Sequence, residues 1–143
     1  SITTQLLVEI YGLVPLDNIV IIGTTNMLET IEPALLRPGR IDLIVKLNLP
    51  NQTDRLQIFD IHTSKLLQNG YLKSNIDIER IIHATQGLTV AHLERIVRLA
   101  TINAMRRDVL ERGRLDITQI ESEPLRVENI DFIEAISQVR LSG

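Results

Sequence analysis

The chain contains no cysteine. That excludes disulfide staples and thiolate metal sites, and it suits a reducing compartment. Tryptophan is also absent, and two Phe and two Tyr are the only aromatic residues among 143. Stacking platforms for single-stranded nucleic acid are therefore not expected. A formal net charge of −3 gives no pull toward a phosphate backbone either, so no nucleic-acid partner is expected. No apolar run approaches the roughly 20 residues that a membrane-spanning helix needs, so no membrane insertion is expected. The N-terminus carries no signal-peptide pattern. Two chemical motifs are missing as well: there is no GxxxxGKS/T phosphate loop, and no apolar strand ends in paired acids. Nothing in the chain thus cradles a β-phosphate or holds Mg2+ by the usual route. The three histidines, His62, His83 and His92, have no acidic partner at a metal-like spacing, and no Ser/His/Asp arrangement is suggested.

What is present is 44% hydrophobic and 23% charged. Such a chain folds, with enough length for one sizeable core or two small ones built from Ile, Leu, Val and Ala. It opens on Ser1 with helical periodicity already under way, and reads as a piece of a longer protein. The organising stretch is 18–40, NIVIIGTTNMLETIEPALLRPGR. Its apolar run, Ile19 to Ile22, leads at once to the polar cluster Thr24-Thr25-Asn26. A buried parallel strand delivers side chains to a ligand at its carboxyl edge in this way.

The spacing predicts a helix over 3–13, a strand over 19–24, a short helix from Thr30 or Glu32 through Leu36, and a second strand over 42–47. Pro38-Gly39 suits the central positions of a type II turn, where Pro presets φ and Gly takes a positive φ. Asn48-Leu49-Pro50-Asn51 is the expected domain boundary, because strands alternate with helices before it and almost everything after it is helical. Asn51 or Thr53 is expected to cap a helix to about Leu67, with Leu56, Ile58, Phe59, Leu66 and Leu67 inward. A loop containing Gly70 follows, then a helix over 78–85 capped by Asp77 and closed by Gly87. Thr89 is expected to cap the longest helix, ending near Arg112 at Gly113, with Leu93, Ile96, Val97, Ala100 and Ala104 inward. After an irregular connector over 114–127, a last helix over 129–139 turns Ile130, Phe132, Ile133 and Ile136 inward.

Three places carry candidate chemistry. Asn26, just past a strand end, can donate and accept, and so can orient a water or a phosphate oxygen. The commoner role of such an Asn is a turn residue that bonds its own backbone. Arg37 and Arg40 flank the Pro-Gly turn, and each offers a planar fork of donors suited to phosphate. Their plain alternative is a pair of surface arginines, one pairing with Asp42 or Glu32. His62 can touch a purine or ribose edge, though such a histidine is more often partly buried and satisfied. The basic character of the long helix, from Arg95 to Arg112, reads as a solvated face or as a dock for an acidic partner.

The blocks IVIIGTTN, LLRPGRIDLIVKLNLPN, RLQIFDIHT and TQGLTVAHLERIVRLA, with their spacing, resemble the AAA ATPases over nearly the whole chain. Within that family they are nearest to the first ATPase domain of the motors that take SNARE complexes apart. Segregases of the valosin-containing-protein type share the blocks, but the RLQIFDIHT run and the long 67–76 loop favour the former. The resemblance implies an α/β remnant over 1–50, the C-terminal part of a P-loop nucleotide-binding subdomain, followed by an all-α lid over 51–143. It implies that Asn26 is sensor 1, placing the attacking water beside the γ-phosphate. Arg37 and Arg40 are implied to be arginine fingers that reach the ATP site of the neighbouring subunit. His62 is implied to contact ribose and adenine. Val90-Ala91 matches a Gly-Ala pair lying against the adenine at the start of a lid helix. Val is a departure there, because its branched side chain stands where backbone normally approaches closely.

The implied cofactors are ATP and Mg2+, with the phosphate loop, metal-binding acids and pore loop expected upstream of this chain. Alone, the chain is expected to bind ATP weakly or not at all and to hydrolyse none. The implied partners are further copies in a homo-hexamer, and SNARE complexes held through a SNAP adaptor. The implied location is the cytoplasm, peripheral to vesicle membranes. Two rivals remain at this level. One is a segregase with a ubiquitinated client. The other is a non-catalytic helical interaction module built on 93–105, in which Asn26, Arg37 and Arg40 are dispensable.

Overall fold

A computed structural model describes Gln5, Glu9, residues 18–113 and residues 124–143. The chain divides into two compact units, Ser1–Leu47 and Asn48–Gly143.

In the first unit Gln5 and Glu9 are helical; the rest of the helix expected over 3–13 lies outside the described residues. The two expected strands are not strands. Residues 19–24 and 42–47 run without β pairing, and their apolar side chains are open, with Val20 84%, Ile22 83% and Leu47 90% exposed. A strand is a pairing and not a property of one segment. β-branched residues favour an extended backbone, but a ladder needs a neighbour, and the described residues supply none. The α/β character expected for this region therefore does not appear as β structure. The short helix expected before Leu36 is also replaced. Leu28–Thr30 forms a single 3-10 turn, and the N–H groups of Leu35 and Leu36 close successive turns on Glu32 O at 2.9 Å and Pro33 O at 3.2 Å. All of these are bonds across three residues. Pro33 has no N–H, so the turn at 28–30 cannot continue through it into one α-helix with the turns that follow.

The second unit holds four helices: α1 (Gln52–Gln68), α2 (Ile78–Ala84), α3 (Val90–Arg112) and α4 (Asn129–Ser142). Local chemistry sets their ends. Asn51 Oδ1 accepts from Asp54 N at 2.9 Å while Asp54 returns the bond to Asn51 N at 3.0 Å, a reciprocal cap for α1. Asp77 accepts from Arg80 N at 3.1 Å to start α2. Gly113 takes φ 63 to close α3, donating its N–H to Val109 O at 3.0 Å. The connector expected over 114–127 is described only from residue 124.

The core forms where α3 packs against both α4 and α1. Leu93, Ile96, Ala100 and Ala104 of α3 are fully buried, and the last three share one core cluster with Phe132, Ala135, Ile136 and Val139 of α4. Phe59 of α1 meets Phe132 with ring centres 5.3 Å apart and planes tilted by 57°. That geometry adds about 0.5–1.5 kcal/mol beyond area burial. The apolar face expected for α1 is partly corrected. Its inward line is Arg55, Phe59, Thr63 and Leu66, whereas Leu56 and Leu67 are exposed, as is Ile130 at the start of α4.

A polar seam fastens α3 to α4. Asp131 is buried and accepts from Arg107 Nε at 3.2 Å and Nη2 at 2.9 Å, and from Glu128 N at 2.8 Å. Asn103 and Gln138 exchange amide bonds at 3.2 and 3.4 Å. The hydrogen bond to Asp131 raises the Arg107 guanidinium above its ordinary pKa, against the lowering effect of burial; the charges of Asp131, Glu128 and Glu111 add to the rise. A raised folded-state value stabilises the fold below the unfolded value and fades only as pH climbs through the folded one. This contribution is therefore constant at ordinary pH and is lost only in strong alkali. Just before α4, Val127 bridges to Leu72 in the loop between α1 and α2, with Val127 N on Tyr71 O at 2.7 Å and Lys73 N on Val127 O at 3.1 Å.

Candidate functional site

The candidate residues fall in both units. In the first, Asn26 sits exposed at a bend beside the 3-10 turn. Its neighbours are pinned: Thr25 Oγ1 accepts from Met27 N at 3.0 Å, and Thr30 Oγ1 donates to Met27 O at 2.8 Å. Side-chain bonds from flanking threonines thus hold the local backbone, and the Asn26 amide is left at the surface.

Arg37, Pro38, Gly39 and Arg40 form one tight turn. Arg40 N donates to Arg37 O at 3.1 Å, and Gly39 has φ 82, the value the third position of a type II turn requires. The structure therefore brings both arginines onto a single rigid loop, but it treats them differently. Arg40 is half-buried, and its Nη1 donates to the Ala34 carbonyl, while Ile41 N bonds Leu35 O at 3.1 Å. Arg37 is exposed, and among the described residues no acid lies within ion-pair distance of it. One guanidinium is anchored across the turn it belongs to, and the other projects from it. Planar forks in that setting suit a phosphate oxygen or a carboxylate.

In the second unit His62 is half-buried on α1, between exposed Ile61 and buried Thr63. Val90 and Ala91 open α3 and are both exposed. Their helix starts at the expected Thr89 cap, and His92 returns a bond that the sequence did not suggest. Thr89 Oγ1 accepts from His92 N at 3.2 Å, and His92 Nδ1 accepts from Thr89 N at the same distance. Such a box ordinarily carries Glu or Gln three residues after the cap. An imidazole in that place does the same work, because its Nδ1 can accept a hydrogen bond.

The residues present do not provide for every implied ligand. Among the described residues no group of three or more His, Asp or Glu could hold a metal ion, so no step through Mg2+ is derived from this chain. For ATP the fit is partial: cations, an amide and a capped helix start are present, without a phosphate cradle in the sequence. Among the described residues no helix is long and apolar enough to cross a membrane.

Comparison with known proteins gives a consistent result. Residues 1–49 match the model of the ATPase family associated with various cellular activities (AAA). The chain is 37% identical over 141 residues to a vesicle-fusing ATPase of Arabidopsis thaliana, covering 98% of this chain and 19% of that protein. It is 34% identical over 140 residues to the vesicular-fusion protein sec18 of Schizosaccharomyces pombe, covering 98% and 18%. It is 37% identical over 136 residues to a vesicle-fusing ATPase of Caenorhabditis elegans, covering 95% and 16%. The chain thus spans less than a fifth of the length of these relatives. Family members bind nucleotide, and these relatives are named for vesicle fusion. The chain belongs to the AAA family of ATPases.

Proposed function

We propose that this chain is the sensor, finger and lid portion of an AAA motor that couples ATP hydrolysis to the disassembly of SNARE complexes in vesicle trafficking. The likeness to vesicle-fusing ATPases over 98% of the chain supports the client. The observation that carries the chemistry is the Arg37–Arg40 turn, which holds two guanidinium groups on one short loop.

In this reading Asn26 orients the attacking water. Arg37 and Arg40 neutralise charge that develops on the phosphoryl group in an adjoining copy of a homo-hexamer. For such fingers the effect is about 10³ to 10⁵ in rate. His62, Val90 and Ala91 face the ribose and base. The phosphate cradle and the Mg2+ ligands come from outside these 143 residues. ATP supplies the phosphoryl group; this chain's own residues position water, place positive charge and close over the base. Residues 1–50 belong to an α/β nucleotide-binding subdomain and 51–143 to its lid. The open apolar side chains of 19–24 and 42–47 support this division, because so much exposed aliphatic surface is what a strand shows without its neighbours. The client is reached through a SNAP adaptor on the cytoplasmic face of vesicle membranes.

The experiment is ATP-dependent disassembly of purified SNARE complexes by the whole protein, alongside its Asn26→Ala variant. The variant should bind nucleotide and fail to turn over or to disassemble complexes. Full disassembly by the variant would remove Asn26 from this role, and inert SNARE complexes with active hydrolysis would remove the client.

A further inference from the structure

One cation in the second unit is buried without an acid. Arg55, in the first turn of α1, is 6% exposed. Its Nε donates to Thr85 Oγ1 at 3.2 Å, Nη2 to Ile82 O at 3.3 Å and Nη1 to Pro50 O at 3.1 Å. Among the described residues no carboxylate lies within ion-pair distance of it. A buried guanidinium held only by neutral oxygens is a costly way to fill space, since methionine would pack there without desolvating a charge. Its partners show what it holds together. Ile82 and Thr85 lie at the C-terminal end of α2, where carbonyls lack helical partners and partial negative charge collects. Thr85 Oγ1 donates to Ile82 O at 2.7 Å, which turns its lone pairs to the guanidinium.

The same helix end is gripped from a second side. Arg140 of α4 donates through Nη2 to Ala84 O at 2.6 Å and Gln86 O at 2.9 Å. Residues 82–86 are thus fixed by arginines from two helices. They lead through Leu88, whose N–H bonds Thr85 O at 3.1 Å, directly into Thr89 and the exposed pair Val90-Ala91. In the other direction Arg55 reaches Pro50, the residue before the Asn51 cap.

We infer that Arg55 is a positioning residue that couples the path of the chain at Pro50 to the α2–α3 turn. If Pro50, itself half-buried, is drawn away, Nη1 of the buried Arg55 loses its acceptor. The guanidinium then either carries Thr85 and Ile82 with it or stays unpaired, and both are unfavourable. A movement at the junction is therefore felt at the turn that presents Val90 and Ala91, and the reverse holds equally. The consequence for nucleotide rests on the function proposed above; the coupling of Pro50 to the turn does not.

The absence of cysteine makes the test clean, because two introduced thiols are the only ones. Spin labels at Asn48→Cys and Gln86→Cys, both at exposed positions, report the distance from junction to turn in the full 143-residue chain by pulsed electron resonance. The parent should give one narrow peak. In Arg55→Met, at a temperature where circular dichroism shows native helix, the population outside that peak should rise on the order of tenfold or more, because all three hydrogen bonds from Arg55 are lost. Arg55→Lys, which keeps the charge without the planar fork, should restore the peak only in part. A folded Arg55→Met with an unchanged distribution overturns the coupling and leaves Arg55 as packing alone. If Arg55→Met does not fold, Thr85→Val removes one acceptor and takes its place. Broadening there supports the coupling and an unchanged peak overturns it. No nucleotide enters the measurement, so its outcome is separate from that of the proposed function.

Discussion

Removing the Asp131 carboxylate should unfasten α3 from α4 at a cost that its surroundings define. Asp131 is 2% exposed and takes three hydrogen bonds, two from Arg107 and one from Glu128 N. Breaking a buried pair by deleting one partner costs about 3–5 kcal/mol. The Arg107 side chain keeps 22% exposure, a bond to Arg126 O at 3.1 Å and the Glu128 carboxylate at 3.9 Å, so in Asp131→Ala the cation is partly hydrated and still has an acid nearby. That places the electrostatic loss near the lower limit. Losing the bond to Glu128 N removes a cap on α4, worth about 1 kcal/mol. The expected sum is about 4 kcal/mol. Arg107→Met should cost more, because the carboxylate left behind has no comparable exposure. The double variant Arg107→Met, Asp131→Leu should be more stable than either single one, since apolar replacement of both partners removes the buried charge altogether. Urea denaturation of the three variants, read as midpoint shifts at constant slope, gives the values. An Asp131→Ala loss below about 1 kcal/mol would refute the reasoning, since that is the scale of an exposed pair.

Two further outcomes follow from the same structure. Thr89→Ala should destabilise the second unit by about 1 kcal/mol, because it opens the cap that Thr89 shares with His92 at the start of α3; thermal unfolding reads this directly. The isolated chain should release no phosphate from ATP in a steady-state assay, because its sequence has no phosphate loop.

The helical unit was legible where chemistry is local. Asn51, Asp77 and Thr89 cap the helices they were expected to cap, and Gly113 ends α3 in the left-handed conformation. The inward stripe of α3, from Leu93 to Ala104, follows a clear helical period. What escaped was decided at a distance. Arg55 is inside because Thr85 and Ile82, about thirty residues on, offer oxygens there; nothing near Arg55 signals this. Asp131 is inside because Arg107 waits for it on another helix. Leu56 and Leu67 were expected inward because an apolar residue carries no sign of which side the core lies on. The segments 19–24 and 42–47 have strand composition without strand structure, since pairing belongs to the neighbours and not to the segment. At the candidate site, the turn carrying Arg37 and Arg40 was readable from Pro38-Gly39 alone. The different settings of its two arginines were not, because the Ala34 carbonyl that holds Arg40 has no signature in the sequence.

The central claim is that Arg37 and Arg40 serve a triphosphate bound in an adjoining copy. Its most direct test is single-turnover hydrolysis by the whole protein carrying Arg37→Ala and Arg40→Ala, with nucleotide affinity measured in parallel. The account predicts a fall in rate of about 10³-fold or more with affinity nearly unchanged. Hydrolysis at the parent rate, or a loss that tracks affinity alone, would contradict it.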